Sequence, residues 1–200
     1  MIGERSQNVD RRARRSRRLL QQALMELMRE KRFAAITVQD IADRAEVNRG
    51  TFYTHFADKY ELLEAIMHEQ LSHILASKLP QAVSWGKEHL RVLIQTILEV
   101  FAEAYGRCPP TEMTDPLMRK ATQEQLTRLL LGWFKKIPVA RGERNVPVEI
   151  RASMISWAIL GVVVEWSQGE KMLSIQEMTN HILSVITEGA APLALDRWSE

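Results

Sequence analysis

The stretch ITVQDIADRAEVNRGTFYTHFADKYELLEAI, residues 36–66, decides the fold because it holds the start signals of three closely spaced helices. The first signal is Thr37, which precedes Asp40 by three residues, a spacing typical of a capping box. Apolar residues at helical spacing follow, so the sequence predicts a short helix over 38–45.

The second half of this stretch predicts another short helix and then a long one. Asn48 is a candidate N-cap for the segment RGTFYTHF, in which Phe52 and Phe56 are four residues apart and share a face. Asp58 is a candidate cap for a helix over 59–79 with a 3.6-residue apolar period. Two short helices joined by a tight turn have helix-turn-helix geometry, and the second is small enough to enter the ~12 Å major groove of B-DNA.

An arginine-rich segment lies upstream. Residues 11–18, RRARRSRR, contain six arginines and run into an amphipathic stretch, which predicts a helix over 11–31 after a polar 1–10 that we expect to be disordered. Three interpretations of the arginines stay open. They form a solvated disordered arm, a segment lying along phosphates or in a minor groove, or a membrane-surface segment.

Charge is distributed unevenly although the net charge is only +2. Residues 1–60 contain 13 Lys/Arg and 8 Asp/Glu, whereas residues 61–200 contain 14 and 17. A basic front and a mildly acidic rear indicate that the front part meets an anion.

The remainder of the 200-residue chain also has a helical pattern. Apolar periodicity predicts helices over 88–105, 117–137, 148–167 and 175–188, and no βαβ alternation is visible. The helix over 148–167 is apolar almost all round, so we expect it to be buried on more than one side. The predicted fold class is all-α.

The core TFYTHFADKYELL, residues 51–63, resembles the DNA-binding signature of the TetR family of bacterial transcriptional repressors, and the preceding arginine-rich helix matches as well. The resemblance covers residues 11–71 strongly and the rest only in general plan. It implies an N-terminal three-helix DNA-binding domain with a helix-turn-helix at 11–71. A helical effector-binding and dimerisation domain would occupy 72–190.

The resemblance also implies roles for individual residues. Arg49 and Thr51 would read bases, and Asn48 and Thr54 are weaker candidates for the same role. The residues expected to bind phosphates are Thr37, Tyr53, His55 and Lys59. Gln39 would reach a base edge or the DNA backbone.

Glu46 departs from the family pattern, which commonly has glycine in the turn between the two short helices. If this residue is left-handed, a side chain there costs roughly 1–2 kcal/mol.

The implied partners are double-stranded DNA with a palindromic operator, a second copy of the chain, and a small-molecule effector. Helices 148–167 and 175–188 would form the homodimer as a four-helix bundle. Five large side chains are candidates for the effector pocket or, alternatively, for ordinary core: Phe101, Tyr105, Trp133, Met154 and Trp157. Three carboxylates are candidates for pairing with a cationic effector or for simply facing water: Glu99, Glu103 and Glu165.

Other function classes find little support in the sequence. Cys108 is the only cysteine, which excludes an intrachain disulfide and a cysteine zinc cage; it is an inert thiol or a redox sensor. No catalytic arrangement is visible, so we predict no enzyme, cofactor or metal. The longest nearly uncharged apolar stretch, 152–164, is shorter than the ~20 residues of a membrane span. With no secretory signal, we expect a cytoplasmic protein.

The expected function is therefore a repressor that an effector releases from DNA. An activator, or a non-induced regulator of the same fold, is the alternative.

Overall fold

The computed structural model describes residues 2–79, 85–107, 114–136, 146–169 and 173–189. All regular secondary structure in these ranges is helical, which confirms the all-α class. The chain divides into two compact units, Met1–Glu69 and Gln70–Glu200. The domain limits 11–71 and 72–190 stay predictions. Cys108 lies outside the described residues.

The helices follow the predicted order. They are α1 Ile2–Glu30, the 3₁₀ turn Phe33–Ala35, α2 Val38–Arg44, α3 Arg49–Tyr53, α4 Lys59–Lys78, α5 Lys87–Arg107, α6 Asp115–Phe134, α7 Val148–Gln168 and α8 Ile175–Glu188. Apart from the start of α1, their ends agree with prediction to within one turn. The expectation of a disordered 1–10 is not met, because α1 begins at Ile2 and continues through the arginine run. The 3₁₀ turn Phe33–Ala35 was not predicted from the sequence.

The first unit is built on one apolar face of α1 against which α2 and α3 pack. Apolar side chains of these helices and of the segment that follows them are less than 5% exposed: Leu20, Leu24, Leu27, Ile41, Phe52, Phe56 and Leu62. Three short or amphipathic helices thus share a single small core, which fixes the direction of α3.

Side-chain caps start the helices where the sequence predicts them. The N–H of Thr37 donates to Asp40 Oδ2 at 2.8 Å, and the N–H of Asp40 donates to Thr37 Oγ1 at 3.1 Å, which completes the capping box. Asn48 Oδ1 accepts from the N–H of Gly50 at 2.7 Å. Asp58 Oδ1 accepts from two N–H groups of α4 at 2.8 and 2.9 Å.

The turn between α2 and α3 is a Schellman motif with Glu46 in the left-handed region, at φ 53°. The N–H of Val47 donates to the carbonyl of Ala42 at 3.0 Å, and the N–H of Glu46 donates to that of Asp43 at 3.1 Å. Glu46 therefore occupies the position at which glycine carries no steric penalty.

The second unit is centred on α5, which packs against α7 and α8, while α6 packs against α7. Six apolar side chains of α5 are completely buried: Leu90, Leu93, Ile94, Ile97, Leu98 and Phe101. A helix that is buried along so much of its surface forms the interior of this unit.

Helix α7 buries one face and exposes the other. Ala152, Ile159 and Val163 are fully buried, whereas Met154 and Trp157 are 65% and 59% exposed. The expectation that this helix is buried on more than one side is therefore not met within a single chain. None of the helices in the described ranges combines enough length and apolar character to span a bilayer.

Glu46→Gly is expected to raise the free energy of unfolding by about 1 kcal/mol, because glycine adopts a positive φ without a Cβ clash. The gain is reduced by the greater freedom of glycine in the unfolded chain. Glu46→Ala keeps the Cβ and is the matched control. Urea denaturation followed by circular dichroism measures both variants. Equal stability of the two would show that the turn is not strained.

Candidate nucleic-acid interface

Helix α3 is anchored by aromatic residues on one side and open on the other. Phe52 is fully buried and Phe56 is 2% exposed, with ring centroids 6.0 Å apart. The guanidinium of Arg17 lies 4.8 Å above the Phe56 ring. Arg17 belongs to the arginine run, so one member of that run packs against the segment that directly follows α3. The sequence reading missed this contact because the two residues are distant in the chain.

The open side of α3 presents polar side chains. Arg49 and Tyr53 are both exposed, and Arg49 Nη2 donates to the Tyr53 hydroxyl at 3.1 Å. The guanidinium also lies 5.5 Å from the centroid of the Tyr53 ring. A guanidinium has five N–H donors, so this bond orients Arg49 and leaves donors for a base edge.

Two further polar residues on α3 use part of their bonding capacity within the helix. The Thr54 hydroxyl donates to the carbonyl of Thr51 at 2.7 Å. The amide oxygen of Asn48 is the cap of the helix, which leaves its NH₂ group as a donor. Thr51 and His55 are half-buried beside them. All six polar candidates therefore cluster on or beside one five-residue helix.

The candidates at the start of α2 are held by neighbouring carboxylates. The hydroxyl of Thr37 donates to Asp40 at 2.8 Å, and Gln39 Nε2 donates to Asp43 at 2.7 Å. Lys31 binds Asp40 at 2.8 Å; this hydrogen bond, followed by those from Thr37, lowers the pKa of Asp40 to about 2. For Thr37 to donate its hydroxyl to a phosphate, that hydroxyl must turn away from Asp40.

Lys59 has a structural role that the sequence did not reveal. Its ammonium donates to the carbonyls of Phe33, Ala34 and Ile36 at 3.0, 3.1 and 2.7 Å. Burial lowers the pKa of Lys59. Three N–H donors meet three carbonyls, so a direct bond from Lys59 to a phosphate requires the loss of one of these bonds.

Trp133 and Trp157, two of the five residues predicted for an effector pocket, line two different cavities. Phe101 is completely buried, and the hydroxyl of Tyr105 donates to the carboxylate of Asp115. Trp133 borders a cavity of about 440 Å³ in the second unit. Met154 and Trp157 lie on the exposed face of α7, where Trp157 borders a separate cavity of about 250 Å³.

Apart from Trp133, the residues that line the larger cavity were not predicted from the sequence. It lies between α6 and the end of α4 and is lined by Ser72, Leu75, Ala76, Leu79, Gln125, Arg128, Leu129, Gly132, Trp133 and Lys136. The α6 residues recur every three or four positions, but the same spacing is typical of any amphipathic helix. The candidate carboxylates lie elsewhere. Glu99 pairs with Lys78, Glu103 is exposed, and Glu165 borders the smaller cavity.

Lys59→Met is expected to lower the free energy of unfolding of the first unit by about 2–3 kcal/mol, because three carbonyls lose a charged donor, although that of Phe33 keeps its bond from the N–H of Ile36. Lys31→Met is the control, since it removes a lysine from a partly exposed ion pair worth about 1 kcal/mol or less. Thermal denaturation of the full chain compares them. A Lys59 variant that is no less stable than the Lys31 variant would refute the structural role.

Known proteins resemble this chain in sequence and in fold. Residues 20–66 match the family model described as bacterial regulatory proteins, tetR family. The HTH-type transcriptional repressor Rv3405c of Mycobacterium tuberculosis is 32% identical over 142 residues, which are 62% of this chain and 75% of that protein. The uncharacterised HTH-type transcriptional regulator YxbF of Bacillus subtilis is 37% identical over 73 residues, or 36% of this chain and only 19% of YxbF.

The solved structure of the transcriptional repressor QsdR of R. erythropolis, described as a TetR-family protein, superposes with a TM-score of 0.59. The match has 13% identity and covers 87% of this chain and 94% of that one, so it shows the fold. Together with the helix-turn-helix and the extent of the match to the mycobacterial repressor, these findings identify the chain: it belongs to the TetR family of bacterial helix-turn-helix transcriptional regulators.

Proposed function

We propose that this regulator is a homodimeric repressor that binds a palindromic operator and is released by a small-molecule effector. The observation that carries the proposal is α3, a helix fixed by Phe52 and Phe56 with its polar side exposed. Two such helices related by two-fold symmetry fit half-sites about 34–36 Å apart, or a multiple of that spacing. The name of the mycobacterial relative favours a repressor over the alternative, an activator or non-induced regulator.

We assign specificity to the exposed side of α3. Arg49 is the main base reader because its guanidinium can bind guanine bidentately while Tyr53 holds it in place. The remaining candidates position the protein on the DNA or read bases weakly: Thr37, Gln39, Asn48, Thr51, Tyr53, Thr54 and His55. Lys59 contributes mainly by its charge and by its bonds to the 3₁₀ turn.

Sequencing of genomic DNA fragments that the purified protein retains, followed by footprinting, tests the DNA-binding part of this proposal. We expect two protected half-sites related by a dyad. Target transcription in a deletion strain then separates the two alternatives, because loss of a repressor raises it. Binding of equal strength to every duplex, whatever its sequence, would refute sequence-specific binding.

Arg49→Ala is expected to relax specificity at one base position per half-site, with a loss of about 1–3 kcal/mol of discrimination. Arg49→Lys is the matched control because it retains the charge but not the bidentate fork. It should preserve the salt dependence of binding yet lose the same discrimination. Fluorescence anisotropy against operators substituted at each position measures both. Operator preference untouched by Arg49→Ala would show that Arg49 does not read bases.

We propose that α7 and α8 form the dimer interface. Exposed apolar side chains recur along one side of α7, at Ile150, Met154, Trp157 and Val162, and Val185 of α8 is also exposed. A large apolar area that one chain leaves uncovered is typical of a protein–protein contact. This face supports the proposed four-helix bundle of 148–167 and 175–188 with a second copy.

Trp157→Glu is expected to convert the dimer to monomer at micromolar concentration, because it places a charge in the middle of the apolar face. Ser77→Glu, which adds a charge at an exposed position of α4, is the control. Light scattering coupled to gel filtration measures the mass, and operator affinity should fall with it. A monomeric wild-type chain, or a dimeric Trp157 variant, would refute this interface.

A further inference from the structure

The arginine run, residues 11–18, lies beyond the core of the first unit. Helix α1 is continuous from Ile2 to Glu30, but none of the residues 11–19 is buried. Within 11–30, the first buried side chain is that of Leu20. The run is therefore a helical extension that contributes no buried side chain to the packing of α1 against α2 and α3.

Three of these arginines form a stripe on one side of the extension. Arg11, Arg15 and Arg18 are spaced by four and three residues, the spacing of neighbours on one helix face. Leu20 follows Arg18 by two residues and Arg11 by nine, which at 3.6 residues per turn is a rotation of roughly 180–200° in both cases. The arginine stripe, Arg11, Arg15 and Arg18, therefore points away from the apolar core.

The charges of the arginine stripe are not neutralised by the part of the chain that the structure describes. All three residues are exposed, and none of them makes a hydrogen bond or an ion pair with a described residue. Arg17 packs on an aromatic ring and Arg14 has an interaction of its own, so neither belongs to the stripe. Like charges three and four residues apart destabilise a helix, and 11–18 contains no Asp or Glu to offset them. A bound anion would remove this repulsion.

The helical state of the run separates the three interpretations of its arginines. It excludes a disordered arm. A helix with its side chains is about 10–12 Å wide, which is too wide for the minor groove of about 6 Å. A membrane-surface helix carries bulky apolar residues opposite its cations, whereas the run has only Ala13 and Ser16 on that side.

The phosphates of a duplex fit the dimensions of the stripe. Arg11 and Arg18 are seven residues apart, or about 10 Å along the helix axis. Phosphates follow one another at about 3.4 Å along each strand of DNA, so this length corresponds to about three phosphates. A row of three guanidinium groups can therefore neutralise neighbouring phosphates of one strand.

The stripe begins beside the helix that we assign to the major groove. The guanidinium of Arg17 lies 4.8 Å above the ring of Phe56, which is three residues beyond the end of α3 at Tyr53. Arg18 is the next residue after Arg17, so the stripe extends from the C-terminal end of α3. Both surfaces belong to the first unit.

We propose that the arginine stripe binds the phosphates of duplex DNA beside the groove that α3 enters. It increases affinity without reading bases, because contacts to phosphates carry no direct sequence information. This role rests on the proposed binding of DNA through α3, and it leaves sequence recognition to Arg49.

Joint substitution Arg11→Gln, Arg15→Gln and Arg18→Gln in the full chain tests the stripe. Glutamine has nearly the helix propensity of arginine, so the helix content measured by circular dichroism should persist. The slope of log affinity against log salt concentration should become shallower by about two to three, because each phosphate contact contributes about 0.9. Affinity for the footprinted operator should fall at least about tenfold at low salt.

The matched control replaces the same three arginines by lysine. It keeps the charges and loses only the planar fork, so it should retain the wild-type salt slope. Anisotropy titrations at several salt concentrations compare the three proteins. The same slope in the glutamine variant as in the wild type would refute the proposal.

Uncharged methylphosphonates at single positions of the operator locate the contact. Replacements at about three neighbouring phosphates per half-site should weaken binding of the wild-type protein and have no further effect on the glutamine variant. Equal sensitivity of the two proteins at every phosphate would overturn the proposal. So would a preference for A·T pairs at these positions that only the wild type shows, since it would indicate minor-groove reading instead.

Two further comparisons separate this proposal from its alternatives. A wild-type protein that prefers the operator but has the salt slope of the glutamine variant refutes the stripe and retains operator binding. A wild-type protein that lacks operator preference but loses salt slope on substitution retains the stripe and refutes the specific part of the proposed function. Binding to phosphatidylglycerol vesicles that the glutamine variant loses, with unchanged DNA binding, would assign the stripe to a membrane surface and overturn the proposal.

Discussion

The burial of Phe52 beneath α3 is the interaction on which the DNA-binding side depends. A helix of five residues has too few internal hydrogen bonds to persist alone, since isolated helices shorter than about 12–15 residues are marginal in water. The burial of one such aromatic side chain contributes roughly 1.5–3 kcal/mol. The Asn48 cap and the Schellman turn at Glu46 then fix where α3 begins. The exposed donors of α3 keep their arrangement only while these three supports hold.

The positive charge of the front part is divided between folding and binding. Lys59 satisfies three carbonyls, Arg44 binds Glu30 through two nitrogens at 2.9 and 2.8 Å, and Lys31 neutralises the capping Asp40. These cations stabilise the unit by pairing within it. The arginine run at 11–18 carries exposed cations along the first helix. A count of basic residues in a DNA-binding unit therefore overestimates its phosphate contacts, because buried backbone and acidic caps require partners of their own.

The features that the sequence predicted correctly are local. Thr37, Asn48 and Asp58 cap groups two or three residues away, and apolar periodicity reports the face of one helix at a time. The left-handed conformation of Glu46 was raised as a condition by the glycine that the family commonly has in this turn. What escaped prediction depends on contacts between distant segments, such as Arg17 with Phe56 or the facing of α4 and α6 around a cavity. Neither periodicity nor capping contains information about such pairs.

For the proposed effector release, helix α4 is the element that could carry the coupling, because it belongs to both units. Its first residue, Lys59, bonds the carbonyls that precede α2, and its last turns line the cavity. A ligand shifts an equilibrium only by its difference in affinity for two states, and typical couplings are about 1–3 kcal/mol. For the proposed release by an effector, a ligand that touched only α5–α8 would need an additional moving part, so the simplest route of the proposed coupling runs along α4.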